Sequence, residues 1–306
     1  MKIENINDLR VLVQTARVGT LTAAAAVLGV TPAAASATLK RLEAQLGVRL
    51  FERSTRVMRL TVQGQTLLDY ASRALDLVAE GEAQVTDEQG GMVGLIRLAA
   101  PSDLTRSTLL PWLDAFMQTH KGVRLALSVG DHPLDVVRDE LDLAIRYGAL
   151  ADSRLSMRRL LITEPVVVAA PSYLARHPAP QSPLDLAHHN CLAYDRAGRP
   201  HRTWRFVRDR QWTEVRVNGD RSVDDASLAR QWALAGAGIL LKSPIEQRHE
   251  MGKGDLVQLL SDWQTEPYPL QALLPSGRFV PRRVKSLVDF LAAKFGELAS
   301  ALEASR

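Results

Sequence analysis

The sequence predicts an α/β chain in three parts: an N-terminal winged helix-turn-helix over residues 1–61, a linker helix over 62–89, and a two-lobed α/β domain over 90–306. Three observations carry this reading. Residues 20–47 form two short apolar-periodic stretches about a glycine break, residues 62–89 form a proline-free run with a heptad seam, and after Gly94 strand patterns alternate with helix patterns.

At 306 residues the chain has room for more than one core, and 46% hydrophobic with 24% charged residues is ordinary for a soluble globular protein. The single Cys191 excludes an internal disulfide framework and fits a reducing compartment. No apolar run approaches the ~18 residues a spanning helix needs. The opening MKIENINDLR lacks the apolar core of a signal peptide. The expectation is a cytoplasmic protein with no membrane association. Charge is unevenly placed. Residues 1–61 hold nine Lys or Arg against four Asp or Glu, a balance of +5, which leaves −1 for the rest of a chain whose net charge is +4. A basic module on a near-neutral body is the footprint expected for phosphate contact.

Leu9, Leu12, Val13 and Ala16 mark a first helix that stops at Gly19. Thr20 offers an N-cap for a second helix, whose Leu21, Ala24, Ala25 and Leu28 share one face, and Gly29 ends it. Thr31 then caps a third helix with Pro32 at its first position, where a missing N–H costs nothing. Ala35, Leu39, Leu42 and Leu46 form its buried row, and Gly47 stops it. This is the helix-turn-helix pattern, with the third helix as the one that enters the major groove. Val48, Leu50, Val57 and Leu60 flank a polar tip of Glu52, Arg53, Ser54, Thr55 and Arg56, which reads as a β-hairpin wing with arginines at its tip.

The run LEAQLGVRLFERSTRVMRLTVQG resembles the LysR-type transcriptional regulators. Its landmarks are Leu42-Glu43, Leu46-Gly47, Leu50-Phe51-Glu52-Arg53, Leu60-Thr61 and Gly64. The resemblance extends along the chain and is tightest over residues 1–90. It implies a DNA-binding regulator with a small-molecule effector domain, reading a palindromic promoter site in double-stranded DNA. It also implies a homodimer through the linker helix, assembly to a homotetramer, and RNA polymerase as a further partner.

The chain departs from the family on its recognition helix. A helical wheel puts Ala33, Ala37, Lys40, Arg41 and Ala44 outward, with Ser36 and Thr38 on the shoulders, where relatives usually carry more polar side chains. Alanine methyls can meet only thymine methyls or let the backbone come close, so discrimination leans on groove shape. The expected DNA contacts are Thr31, Ala33, Ser36, Thr38, Lys40 and Arg41 from the helix, with Arg53 and Arg56 from the wing.

In the linker, Leu68, Ala71, Leu75, Val78 and Val85 fall on an a/d repeat. That seam faces either a second copy or the chain's own body. Gly90-Gly91 then breaks the helix.

Leu95–Ala100 reads as a strand, Leu109–His120 as a helix, Val123–Val129 as a strand, Pro133–Asp139 as a short helix and Leu141–Tyr147 as a buried strand. A second unit begins near Glu164 with Pro165–Ala170. It continues through a helix start at Ser182-Pro183, strands at Cys191–Tyr194 and Glu214–Val217, a helix from Asp224 to Ala235 and a strand at Ile239–Lys242. From Tyr268 the chain returns to the first unit. The alternation predicts a mostly parallel sheet. Two lobes, one over about 94–163 and 267–300 and the other over about 164–266, resemble the family's periplasmic-binding-protein-like effector domain.

Such folds bind ligands between the lobes, at strand ends and helix N-termini. That rule points to Pro101, Ser102 and Asp103, to Tyr147 and Gly148, and to Val223 and Asp224. Ser102 reads equally well as a residue that only starts a helix. Residues 196–216 hold seven arginines with His201, Trp204, Phe206 and Trp212 interleaved. This stretch is either an exposed hairpin or, with His201 as its contact, the side from which an anionic effector enters.

No HExxH, CxxC, Walker A or GxSxG motif is present, so no catalytic residue, metal ligand or cofactor is expected. Asp185, His188, His189 and Cys191 lack the spacing of a zinc site. Gly236-Ala237-Gly238 follows a helix and reads as its stop. Two other classes stay open: a DNA-binding protein that needs no effector, and a solute-binding protein with an accessory N-terminal module.

Overall fold

Capping side chains and left-handed glycines set the helix boundaries of the N-terminal module. Helix α1 (Ile6–Val18) starts at Asn5, whose Oδ1 accepts the Asn7 amide at 2.9 Å. Helix α2 (Leu21–Leu28) starts at Thr20, whose hydroxyl accepts the Ala23 amide at 3.2 Å, and helix α3 (Pro32–Leu46) starts at Thr31, which accepts the Ala34 amide at 3.2 Å. Gly29 and Gly47 close α2 and α3 at φ 67° and 76°, a region that side chains with a Cβ avoid. Leu12, Ala25, Ala35, Leu39 and Leu42 are each at most 1% exposed and form one core. α2 and α3 together have the length and apolarity of a membrane span, but they are bent by 107° about this core, and no single helix among the described residues is long and apolar enough to cross a membrane.

The computed structural model describes residues 3–53, 58–86, 92–132, 136, 139, 141–148, 155–196, 199–275 and 280–304. The chain divides into two units, residues 1–94 and 95–306.

The wing pairs β1 (Phe51–Arg53) with β2 (Met58–Leu60), Phe51 opposite Leu60. Val48 was expected in this hairpin but is 40% exposed and precedes it. The reason lies in Glu43, whose Oε1 accepts the Leu50 and Phe51 amides at 2.8 and 3.3 Å and delays the strand to Phe51. Phe51, 1% exposed, fills the core instead. Val57 lies outside the described residues.

Helix α4 (Val62–Thr86) begins on Thr61, whose hydroxyl accepts the Gly64 amide at 2.9 Å. A Cβ on Gly64 would stand 1.9 Å from the Leu50 carbonyl oxygen, so only glycine lets this helix approach the wing. The expected seam is divided. Ala71 is 2% exposed because it joins the cluster holding Val11 and Leu12, while Leu68 and Leu75 are half-buried. Among the described side chains of α4, Val62, Tyr70, Leu77 and Val78 are exposed large apolar residues, at 81%, 57%, 38% and 38%.

In the second unit, strands β3 (Val93–Ala100), β4 (Gly122–Val129), β5 (Leu143–Tyr147) and β6 (Leu155–Thr163) belong to the first lobe, with helix α5 (Leu110–Thr119) between β3 and β4. The second lobe contains β7 (Val166–Ala169), β8 (Ala193–Arg196), β9 (Arg199–Pro200), β10 (Thr203–Arg208), β11 (Gln211–Arg216) and β12 (Ser222–Val223). It also contains short helical turns at Pro171–Leu174 and, at the expected Ser182-Pro183 start, Pro183–His188, together with helix α6 (Ala226–Leu234), β13 (Leu240–Lys242), helix α7 (Arg248–Lys253), β14 (Val257–Leu259) and β15 (Gln264–Thr265). β16 (Tyr268–Pro275) returns to the first lobe, and helix α8 (Arg282–Ala304) covers its sheet, with Phe295 edge-on to Trp112 at 5.0 Å.

The first-lobe sheet runs β4-β3-β5-β16-β6. β3 and β5 are parallel, but β16 lies antiparallel to both β5 and β6. β7 is antiparallel to β13 and β14, and β10 to β11 and β15. The expectation of a mostly parallel sheet is therefore corrected: β16, the strand by which the chain returns to this lobe, runs against β3, β5 and β6. Thr265 Oγ1 donates to the Pro165 carbonyl at 2.6 Å and ties the two crossings together. The short helix expected at Pro133–Asp139 falls largely outside the described residues.

Candidate nucleic-acid interface and interlobe cleft

The buried row of α3 fixes what its other side shows. With Ala35, Leu39 and Leu42 inward, Ala33, Ala37, Lys40 and Ala44 are exposed, Thr31 caps the helix in the open, and Ser36 and Thr38 are half-buried on the shoulders. Arg41 departs from expectation. Its guanidinium grips Asp8 of α1 through Nη2–Oδ1 at 2.5 Å and Nε–Oδ2 at 3.2 Å, and Asp8 is 1% exposed. This two-pronged pair clamps α1 to α3, so Arg41 has a structural role that the sequence did not show, while its side chain stays 49% exposed. Arg53 ends β1, and Arg56 lies outside the described residues.

Several of the expected effector contacts meet between the lobes. Ser102, 2% exposed, follows β3 and the turn residue Pro101. Its hydroxyl lies 2.8 Å from Asp225 Oδ1 of the second lobe and 2.5 Å from Asp131 Oδ2 of the first. Asp131 also accepts the Ser102 amide at 3.1 Å and, across the cleft, the Ala226 amide at the start of α6 at 2.8 Å. Asp225 caps α6 through the Ser227 and Leu228 amides at 2.8 and 3.2 Å. Burial works against the Asp225 charge, but these bonds, the Ser102 hydroxyl and nearby Arg106 outweigh it and hold the carboxyl below its ordinary range. Asp224 meets His132 Nε2 at 3.1 Å, and Val223 ends β12, half-buried beside Tyr194.

Asp103 is corrected. It is fully buried and pairs with Arg230 Nε at 2.8 Å and Lys242 Nζ at 2.7 Å, both from the second lobe, so it holds the lobes together and is not open to a ligand. Arg230 also reaches Glu250 at 2.5 Å. Burial disfavours the Lys242 ammonium, yet the charges of Glu246 and Asp103 raise its affinity for the proton above the usual lysine range. Tyr147 donates to Glu246 Oε1 at 2.8 Å, and burial with that carboxylate pushes its phenol well above its ordinary value. Burial likewise raises Glu246, with Lys242 opposing. Gly148 turns at φ 97° beneath the Tyr268 ring, which stacks on Tyr147 at 5.5 Å. His201 goes elsewhere. It lines a cavity of about 260 Å³ with Pro165, Thr203, Arg205, Leu241, Thr265 and Glu266.

Asp131, Arg230, Lys242 and Glu246 escaped the sequence reading. Asp131 was accessible to it, since Gly130-Asp131 follows a strand just as Ser102 does. The other three sit on or after second-lobe elements with no local pattern to mark them. Asp185, His188, His189 and Cys191 do separate work: Asp185 accepts the Gln181 and Ser182 amides at 2.9 and 2.8 Å, and His189 Nδ1 meets the Tyr173 hydroxyl at 3.1 Å. Burial pushes the Cys191 thiol up to about 12.

A basic helix-turn-helix with wing and long helix, followed by a two-lobed α/β domain bonded across its cleft, defines a DNA-binding transcriptional regulator with an effector-binding domain. Residues 6–65 match the family described as bacterial regulatory helix-turn-helix protein, lysR family, and residues 89–296 match the LysR substrate binding domain. The chain belongs to the LysR-type transcriptional regulators, which are not enzymes. Among similar proteins, the HTH-type transcriptional regulator PtxR of Pseudomonas aeruginosa is 33% identical over 292 residues, covering 95% of this chain and 93% of that one. The structure of CrgA, a LysR-type regulator from Neisseria meningitidis, matches with TM-score 0.62 at 30% identity, over 96% of this chain and 100% of the other. Full-length AphB of Vibrio cholerae matches with TM-score 0.58 at 27% identity, over 95% and 99%. LysR-type regulators bind DNA and small-molecule effectors and form oligomers.

Proposed function

We propose that this regulator reads a palindromic promoter site in the cytoplasm as a homodimer, itself paired into a tetramer, under control of a small molecule bound between the lobes. Supporting the first part is the exposed row Ala33, Ala37, Lys40 and Ala44, set outward by a buried row on the same helix. Thr31, Ser36, Thr38, Lys40, Arg53 and Arg56 are the proposed DNA contacts, with the alanines meeting thymine methyls. The stripe Tyr70, Leu77 and Val78 is the proposed dimer seam. Pro101, Ser102, Tyr147, Gly148, Val223 and Asp224 border the proposed effector cleft, and RNA polymerase is the proposed partner in transcription. A gel shift against the DNA upstream of the chain's own gene tests this reading, with thymine replaced by uracil in each half-site. Loss of affinity on losing the methyls is expected, and several strict guanine requirements in each half-site would refute the methyl readout.

A second reading, control without an effector, is favoured by the buried bonds that already close the lobes on each other, Asp103 to Lys242 and Tyr147 to Glu246. A thermal-shift screen with small carboxylates and aromatics separates the two. A ligand at ~100 times its Kd adds about 2.7 kcal/mol, and no stabilisation by any compound favours the second reading.

A further inference from the structure

Two kinds of bond join the lobes. One is neutralised: Asp103 lies between Arg230 and Lys242, fully buried. The other is not. Asp131 and Asp225 both lie within hydrogen-bond distance of the Ser102 oxygen, at 2.5 and 2.8 Å, and that hydroxyl has one proton to give. It also accepts the Ser227 amide at 3.3 Å, which takes one of its two lone pairs. Two carboxylates therefore face each other across a single hydroxyl, and their repulsion is offset by the amides of Ser102 and α6, by Arg106 at 3.4 Å from Asp225 and by the charge of Arg146 acting on Asp131. Such a contact holds when closed and gives readily when disturbed.

We propose that Asp131 is an internal latch: a first-lobe carboxylate seated on the N-terminus of α6 that keeps this end of the cleft shut until it is displaced. The carboxylate meets the Ala226 amide at 2.8 Å and the Ser102 amide at 3.1 Å, one from each lobe, so its two oxygens bridge the cleft directly. A helix N-terminus favours negative charge, and Asp131 supplies it from the opposite lobe. Anything that enters this end of the cleft must first expel that group. The consequence for regulation rests on the reading of the cleft as the effector site, while the latch itself does not.

The test is amide hydrogen exchange by mass spectrometry on the full-length chain, with Asp131→Ser and, in case serine rebuilds a bond, Asp131→Ala. Exchange in peptides spanning Ser102 and Ala226 should quicken at least tenfold in the variants. Sodium acetate at ~100 mM should slow it again by reoccupying the vacated seat, sodium chloride of equal ionic strength should not, and the wild type should ignore both. Unchanged exchange in both variants, or acetate no better than chloride, overturns the latch. A gel shift with the same variants separates the two claims: altered exchange with unaltered DNA affinity leaves the latch standing and removes this end of the cleft from control of DNA binding.

Discussion

Replacing Asp103 with asparagine should loosen the effector domain more than any surface change, and the size of the effect follows from its surroundings. Asp103 is fully buried, with Arg230 at 2.8 Å and Lys242 at 2.7 Å, and those partners are 8% and 4% exposed. Asparagine keeps the shape, but it removes the charge that two buried cations face and turns an amide NH2 toward one of them. Breaking a buried pair in this way costs about 3–5 kcal/mol, because the remaining charge stays out of water. For a domain of this size that corresponds to a fall of about 1–2 M in the urea midpoint. All five tryptophans lie beyond residue 95, so tryptophan fluorescence during a urea titration reports this domain alone. The double variant Asp103→Asn with Lys242→Met should recover ~1 kcal/mol or more relative to the sum of the two single changes, since the contact between the two residues is lost only once. A single-variant loss under ~1 kcal/mol, or strict additivity, would refute the claim that the pair is a buried interlobe bond.

Three further outcomes follow from the same geometry. Arg41→Ala should leave the salt dependence of DNA binding unchanged while lowering the melting temperature, whereas Lys40→Ala should reduce the slope of log affinity against log salt by ~1; equal slopes for the two variants would put Arg41 back among the DNA contacts. Gly64→Ala should lose several-fold in DNA affinity and melt lower by circular dichroism, because a Cβ 1.9 Å from the Leu50 carbonyl forces the wing and α4 apart, at a cost of ~1–3 kcal/mol; wild-type behaviour would mean the two part freely. Asp225 has a folded value below its unfolded one, so its carboxylate adds stability that is full above the usual range near about 4 and is lost as pH falls through the folded value. The melting-temperature gap between wild type and Asp225→Asn should therefore narrow between about pH 5 and 3, and a gap that widens there would reverse the assigned shift.

Local rules carried the N-terminal module. Thr20, Gly29, Thr31, Pro32 and Gly47 each act within four residues of their place in the chain, so their meaning was legible from neighbours alone. The clamp between Arg41 and Asp8 was not: it spans 33 residues, and an arginine on an outward face looks the same whether it meets phosphate or a buried carboxylate. Distance also hid the role of Asp103, whose partner Arg230 is 127 residues away. The strand alternation marked where strands are, but not that β16 would lie antiparallel between β5 and β6, because direction depends on where the chain re-enters the lobe. Strand ends pointed to Ser102 and Tyr147, and the same rule applied once more would have found Asp131. His201 was harder to place, because arginine density marks a solvated hairpin as readily as a ligand site, and it lines a cavity with Pro165, Leu241 and Glu266.

The outward alanines of α3 have an evolutionary consequence. Ala33, Ala37 and Ala44 are exposed, none belongs to the row that holds the three helices together, and each already sits on a well-capped helix. On the proposed readout, a single codon change at any of them introduces a hydroxyl or a longer polar side chain toward the base edges without disturbing a buried neighbour. If that face carries the address, the helix keeps scaffold and address separate, and the set of genes under this regulator can drift while the protein continues to fold in the same way.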